Sequence, residues 1–234
     1  MSKQLMIAGN TGSGKSTSLR NLDPKSTFVI NCGKKDFSFP KARVNYTQFD
    51  KATLTGNVYN TDNFNQIINI ISFIGTKMSH IKTLVIDDFQ FSMAASVMNN
   101  INIKGFEKWN ELAAGIWNTL GAGNSQREDL TVVFIEHLES DYDDSGVKQT
   151  KAKTVGKLID KTVNLDGLFT TILYSEAIKN AEGRIDYVFR THTNGTDTCK
   201  TPMGMFEDDY IPNDLAVVID KMKEYYGDDI LVVK

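Results

Sequence analysis

The octapeptide Gly9-Asn10-Thr11-Gly12-Ser13-Gly14-Lys15-Ser16 constrains the fold of this 234-residue chain more than any other stretch. It matches G-x-x-x-x-G-K-[ST] and lies between the apolar run Leu5 to Ala8 and a segment, Ser16 to Leu22, able to start a helix. A strand, a glycine-rich loop and a helix in that order let backbone N–H groups curl around a phosphate. In such a cradle Lys15 neutralises the β and γ phosphates and the Ser16 hydroxyl ligates a magnesium ion.

A second element fits the first. Thr83-Leu84-Val85-Ile86-Asp87-Asp88 is an apolar strand ending in two carboxylates, roughly 70 residues beyond the glycine-rich loop. Asp87 is placed to hold the magnesium, and Asp88 to orient and deprotonate an attacking water. A third strand end, Ile135-Glu136-His137, offers Glu136 or His137 as a polar sensor of the γ-phosphate, with Glu136 also a rival for the base.

Further apolar runs at Thr27 to Asn31, Thr131 to Glu136 and Phe169 to Tyr174 alternate with helical patterns. The clearest helix has Phe64, Ile67, Ile68, Ile71, Ile74 and Met78 at spacings of three and four, behind a Thr61-Asp62 cap signal. Others run from Trp109 to Leu120 and, after Pro212 and Asn213, from Leu215 to Tyr226. Strands alternating with helices imply an α/β fold with a mainly parallel sheet covered on both faces. The strand at Thr27 to Asn31 is read as intervening between the phosphate strand and the Asp87 strand, the arrangement of RecA-like and AAA-type ATPases. No Asn-Lys-x-Asp occurs, which favours ATP over GTP, and the five arginines are too scattered for a kinase lid. Residues 139–157 read as a long polar loop, and residues 183–206 as a β-hairpin or meander in which Asp186 to Thr191 alternates and His192 to Gly195 supplies turn residues.

Charge divides the chain. The net charge of -3 excludes an indiscriminate polyanion binder, yet residues 207–234 carry eight acids against three lysines, so residues 1–206 are +2. The expected organisation is an ATPase core over 1–206 and an acidic helix and tail over 207–234. Cys32 and Cys199 stand alone, without zinc-ligand spacing, and read as free thiols of a cytoplasmic protein. No apolar run is long enough to span a bilayer.

With Gly9 to Ser16 near the N-terminus, Val85-Ile86-Asp87-Asp88-Phe89-Gln90, Phe134-Ile135-Glu136-His137, Gly156-Lys157-Leu158-Ile159-Asp160 and Asp197-Thr198-Cys199-Lys200-Thr201-Pro202, the chain resembles a family of phage-encoded RecA-like P-loop ATPases that includes the Sak-type single-strand annealing group. The resemblance covers nearly the whole chain. It implies a RecA-like core with a C-terminal hairpin and helix, ATP and Mg2+ as cofactors, Lys15, Ser16 and Thr17 as nucleotide-site residues, single-stranded DNA as partner, and work in phage recombination or replication. It departs from RecA in one respect: Asn31-Cys32-Gly33-Lys34-Lys35-Asp36 offers no glutamate where RecA carries its catalytic one, so Asp88 is preferred as the base.

RecA-like proteins bind DNA on loops after the Asp87-type and sensor strands. Here Lys148, Lys151, Lys153, Lys157 and Lys161 are the candidates, with Glu139, Asp141, Asp143 and Asp144 opposing them. Phe89, Phe91 and Phe106 lie near the other expected loop, while Trp109 and Trp117 fall on the apolar face of a helical pattern. A cation supplied by a neighbouring subunit would complete the site in a homo-oligomer, with Lys200 the first candidate and Arg190 and Arg127 next. Two rival readings are an ATP-regulated assembly or loader protein that meets phage replication or recombination partners through residues 207–234, and a nucleotide kinase.

Overall fold

The computed structural model describes residues 1–142 and 145–227, apart from the side chains of Lys157, Leu158 and Lys161. In chain order the elements are β1 (Lys3–Gly9), a 3₁₀ helix (Ser16–Asn21), β2 (Thr27–Asn31), α1 (Ala42–Asn45), β3 (Val58–Asn60), α2 (Phe64–Lys77), β4 (Thr83–Asp87), α3 (Gln90–Asn99), α4 (Glu107–Asn124), β5 (Thr131–Tyr142), β6 (Lys148–Ala152), α5 (Lys157–Thr162), a 3₁₀ turn (Asp166–Leu168), β7 (Thr171–Lys179), β8 (Ile185–Arg190), β9 (Tyr210–Pro212) and α6 (Leu215–Tyr226).

The sheet order is β3-β2-β4-β5-β1-β7-β8-β9, with β6 paired to the far end of β5. Strands from β3 to β7 run parallel, and β8 and β9 add antiparallel. A strand does separate β1 from β4, but it is β5; the strand at Thr27–Asn31 lies beyond β4. The central strands are buried on both faces, so they read as continuous apolar runs. Such runs mark a strand without fixing its place in the order.

Each face of the sheet has its own core. Met6, Phe28, Ile30, Leu84, Ile86 and Phe134 pack with Ile67, Ile71 and Ile74 of α2 and Leu112 and Ile116 of α4. Leu5, Ile7, Val29, Val85, Val133 and Ile135 point the other way, onto Leu19 of the 3₁₀ helix and Leu215, Val218 and Ile219 of α6. Strand alternation divides these residues, and the same alternation later decides which polar residue at the end of β5 reaches the site. The start of α2 is capped by Asn63, whose side chain accepts from the Gln66 amide, while Thr61 donates to the Gln66 side chain. The true cap is therefore one residue past the expected Thr61-Asp62 pair.

Three expectations change. The stretch 139–157 is mostly an antiparallel ribbon: β5 continues to Tyr142 and returns as β6, pairing Leu138 with Ala152 and Tyr142 with Lys148. Beyond Leu138 it leaves the layered part of the sheet, so its strands need no apolar alternation and look like a polar loop. The C-terminal hairpin turns earlier than expected, between β7 and β8 around Asn180 to Arg184, where Asn180 and Arg184 exchange a backbone bond of 2.9 Å. Finally, residues 207–226 are no appendage. They supply β9 to the common sheet and α6 to the common core, with Asp214 capping the helix through the Ala216 amide and Gly227 ending it in the left-handed conformation. Asp143, Asp144, Asp228, Asp229 and Lys234 lie outside the described residues.

Candidate nucleotide site

The site is built at the carboxyl ends of the central parallel strands. β1 ends at Gly9, in register with His137 of β5 on one side and Ser175 of β7 on the other. A side chain at Gly9 is impossible here, since a Cβ would sit 2.4 Å from the Ser13 hydroxyl and 2.6 Å from the Ser175 carbonyl. Gly12 (φ 79°) and Gly14 (φ 94°) take backbone angles that L side chains rarely adopt, and these turns bend residues 9–16 into a cradle. The cradle is braced from behind: Ser175 Oγ donates to the Ser13 carbonyl (2.7 Å), and the buried Asn213 Nδ2 donates to Ser175 Oγ (3.0 Å).

Lys15 is buried within the loop and donates from Nζ to the carbonyls of Gly9 (2.8 Å) and Asn10 (2.9 Å). Burial lowers its pKa to about 8, against the upward pull of Asp88 and Asp87. Ser16 Oγ donates to Asp87 Oδ1 at 3.0 Å. Burial, then the neighbouring Asp88 charge, raises Asp87 to about 7. Asp88 follows in a left-handed conformation (φ 58°), which is strained for a residue with a side chain. Burial pushes its carboxyl up, but contacts with His137 and Lys35 outweigh that and hold it at about 2. Its Oδ2 lies 2.5 Å from Lys35 Nζ, and its Oδ1 lies 3.4 Å from His137 Nε2. Thr11 Oγ1 is 3.5 Å from the other His137 nitrogen, and Thr17 Oγ1 lies 3.0 Å from Ser38 Oγ.

Lys15, Ser16, Thr17, Lys35, Asp87, Asp88, His137 and Tyr187 line one cavity of about 590 Å³, with Thr11, Gly12 and Gly14 on its floor. That volume suits a nucleotide. The Ser16 and Asp87 oxygens, already paired, are hard donors on which Mg2+ can rest. Among the described residues no group of three or more His, Cys, Asp or Glu forms a metal cage. Mg2+ keeps waters and shares phosphate oxygens, so the Ser16 and Asp87 oxygens are the protein donors that would hold it.

Several sequence candidates lie elsewhere. Glu136 is fully buried and absent from the cavity. Alternation along β5 sends it, like Phe134 and Leu138, to the α2/α4 face, whereas His137 emerges on the cradle side. Burial raises the Glu136 carboxyl well above the usual range, opposed by the backbone amides of His137 and Gln90. Glu136, expected as sensor or base, therefore does not line this cavity, whereas His137 and Asp88 do. Lys200 does not line the cavity either; its backbone pairs with Ile172, in register with Met6, and its charge acts on Asp166. Arg190 is spent on Glu176 and Asp197, both at 2.7 Å. Arg127 closes the end of α2 by donating to the carbonyls of Ile74, Gly75, Met78 and Ile81.

The lysine candidates also separate. Lys148 lines a groove of about 400 Å³ beside Asn10 to Ser13, and Lys153 is exposed. Lys151 is held by Asp160 and Glu139, so it is not a free cation. The side chains of Lys157 and Lys161 lie outside the described residues. Of the aromatic residues, Phe89 is core, while Phe106 (71% exposed) and Trp117 (59% exposed) face solvent, contrary to the apolar face expected for Trp117. Cys32 and Cys199 are buried free thiols, as read from their spacing.

Four cavity residues escaped sequence reasoning: Lys35, Asp36, Ser38 and Tyr187. Lys35 had a signal, since it falls at the end of β2 where a glutamate was sought; only the register of β2 beside β4 reveals that it meets Asp88. Tyr187 had no signal beyond strand alternation. It comes to the cavity because β8 lies two strands from β1, which sets its ring against Gly14, 3.0 Å from where a Cβ would be.

No described helix is long and apolar enough to cross a membrane. Comparison with curated proteins gives no match. The family model for the AAA domain matches residues 1–202, a span that includes the cradle, Asp87, Asp88, His137 and Tyr187. With its α/β P-loop NTPase fold and this nucleotide cradle, the chain belongs to the AAA domain family, a membership that points to ATP-binding ATPase activity.

Proposed function

We propose that this chain is a Mg2+-dependent ATPase that acts with single-stranded DNA in phage recombination or replication, as a homo-oligomer in the host cytoplasm. The observation that carries the ATPase part is the convergence of Lys15, the Ser16–Asp87 pair and the Asp88–His137 pair on one cavity. When bound, Mg2+ would neutralise charge on the β and γ phosphates. Lys15 leaves the Gly9 and Asn10 carbonyls to meet the same phosphates. Asp88 accepts a proton from the attacking water, and His137 orients Asp88 and senses the terminal phosphate. Tyr187, half exposed against Gly14, offers a flat apolar wall on the side of the cavity away from Asp88.

The DNA part is supported by the resemblance and by the corner between α3 and α4, which follows Asp88. Exposed Phe106 and Lys104 stand there, suited to base stacking and phosphate contact, and a further exposed aromatic, Phe91, lies at the start of α3. Lys148 and Lys153 on the β5–β6 ribbon add cations. A trans-acting Lys200 from a neighbouring subunit remains part of the same reading. The test is ATP turnover with and without single-stranded DNA at low salt. Binding that stimulates turnover and weakens steeply with salt supports it. Unchanged turnover without binding would remove the DNA role and leave the ATPase.

A further inference from the structure

Lys35 is the cation of the cavity that no part of the phosphate cradle uses. It enters from the β2 loop, where Lys34 takes a left-handed conformation (φ 52°) and Gly33 leaves room. A Cβ on Gly33 would sit 2.7 Å from Asp88 Oδ2, so the loop closes over that carboxylate only with glycine at this position. The Lys35 side chain is 55% exposed, yet its Nζ lies 2.5 Å from an Asp88 side chain that is 1% exposed. A long, solvated side chain thus has its tip on a buried carboxylate in strained backbone. Its other neighbour is the face of Phe91, with Nζ 5.8 Å from the ring centroid. The ammonium therefore lies between Asp88 and the Phe91 ring, on a flexible four-carbon stem that allows it to turn to a new partner.

Resting on the ATPase reading above, we propose that Lys35 is a catalytic residue that exchanges partners, holding Asp88 before nucleotide binds and moving to a γ-phosphate oxygen when ATP fills the cavity. While Lys35 sits on Asp88, the carboxylate is masked as a base. A terminal phosphate brings more negative charge into the same space and draws the ammonium off. Asp88 is then free to accept a proton as the water oxygen bonds to the γ-phosphorus and the bond from that phosphorus to the β,γ-bridging oxygen breaks. Water and ATP become inorganic phosphate and ADP, and the abstracted proton rests on Asp88 until solvent takes it. Lys35 stabilises charge on the transferred group throughout. ADP, which lacks the γ-phosphate, leaves the Lys35–Asp88 pair in place, so the exchange also distinguishes the two nucleotides.

The test compares the unsubstituted chain with Lys35→Met, Lys35→Gln and Lys35→Arg. ATP and ADP affinities are measured by calorimetry with Mg2+, and hydrolysis is measured under single turnover. The expected result is ATP affinity lowered about tenfold in Met and Gln with ADP affinity unchanged, hydrolysis lowered at least a hundredfold, and partial recovery in Arg. Unchanged ADP affinity also reports that the variants are folded. Hydrolysis at the unsubstituted rate in Met and Gln, or equal losses of ATP and ADP affinity, would overturn the assignment. No ATP binding by the unsubstituted chain would instead overturn the nucleotide reading on which it rests.

Discussion

Asp88 combines four properties that are seldom found together in one carboxylate: burial, positive φ, a lysine partner and a histidine partner. A structural aspartate gains nothing from the left-handed conformation, whereas a base that must face a cavity just past the end of β4 does. Asp87, one residue earlier, points to Ser16 instead, so adjacent carboxylates serve separate tasks. Asp88→Asn keeps the shape and removes the proton acceptor. It should leave ATP binding intact by calorimetry and lower single-turnover hydrolysis by roughly 10²–10⁴-fold, the usual range for a lost general base. Hydrolysis at the normal rate would move the base to another group. Both aspartates were legible as the end of an apolar strand behind a glycine-rich loop. The division of labour between Glu136 and His137 was not, because a buried strand is apolar on both faces and its alternation leaves no mark.

At the level of elements, legibility followed burial. β1, β2 and β4 were readable because their core residues are uninterrupted, and α2 because its isoleucines keep a helical period against one sheet face. The β5–β6 ribbon was unreadable because most of it packs against little but itself. α6 was legible from its apolar period, but its place in the common core was not, because it lies in an acidic C-terminal segment. Its acids Asp220 and Glu224 pair with Lys223 and Lys221 on the outer face, while Leu215, Val218, Ile219 and Met222 are buried against the 3₁₀ helix that follows the cradle. Arg20 on that 3₁₀ helix donates to the Asn213 carbonyl at 2.6 Å, next to the α6 cap. Ile219→Ala should therefore destabilise the whole chain by about 2–5 kcal/mol in denaturant titration, in one transition. A change under about 0.5 kcal/mol, the range of surface substitutions, would show α6 to be dispensable.

Over the whole molecule, the parallel strands deliver every chemical group to one edge of the sheet: Gly9 from β1, Asp87 from β4, His137 from β5 and, through its loop, Lys35 from β2. The antiparallel extension β8–β9 and α6 then close the side of the cradle that the parallel strands leave open. Net charge says little about such a molecule. A weakly basic body and an acidic C-terminal stretch that is partly core sum to -3, and neither value describes the cavity, where two lysines meet three aspartates. The central claim is that this edge binds and hydrolyses ATP. Its most direct test is MgATP binding and hydrolysis by the unsubstituted chain and by Lys15→Ala. The account predicts binding and turnover in the first, and neither in the second while it melts as a folded protein. Equal ATP affinity in the two would contradict it.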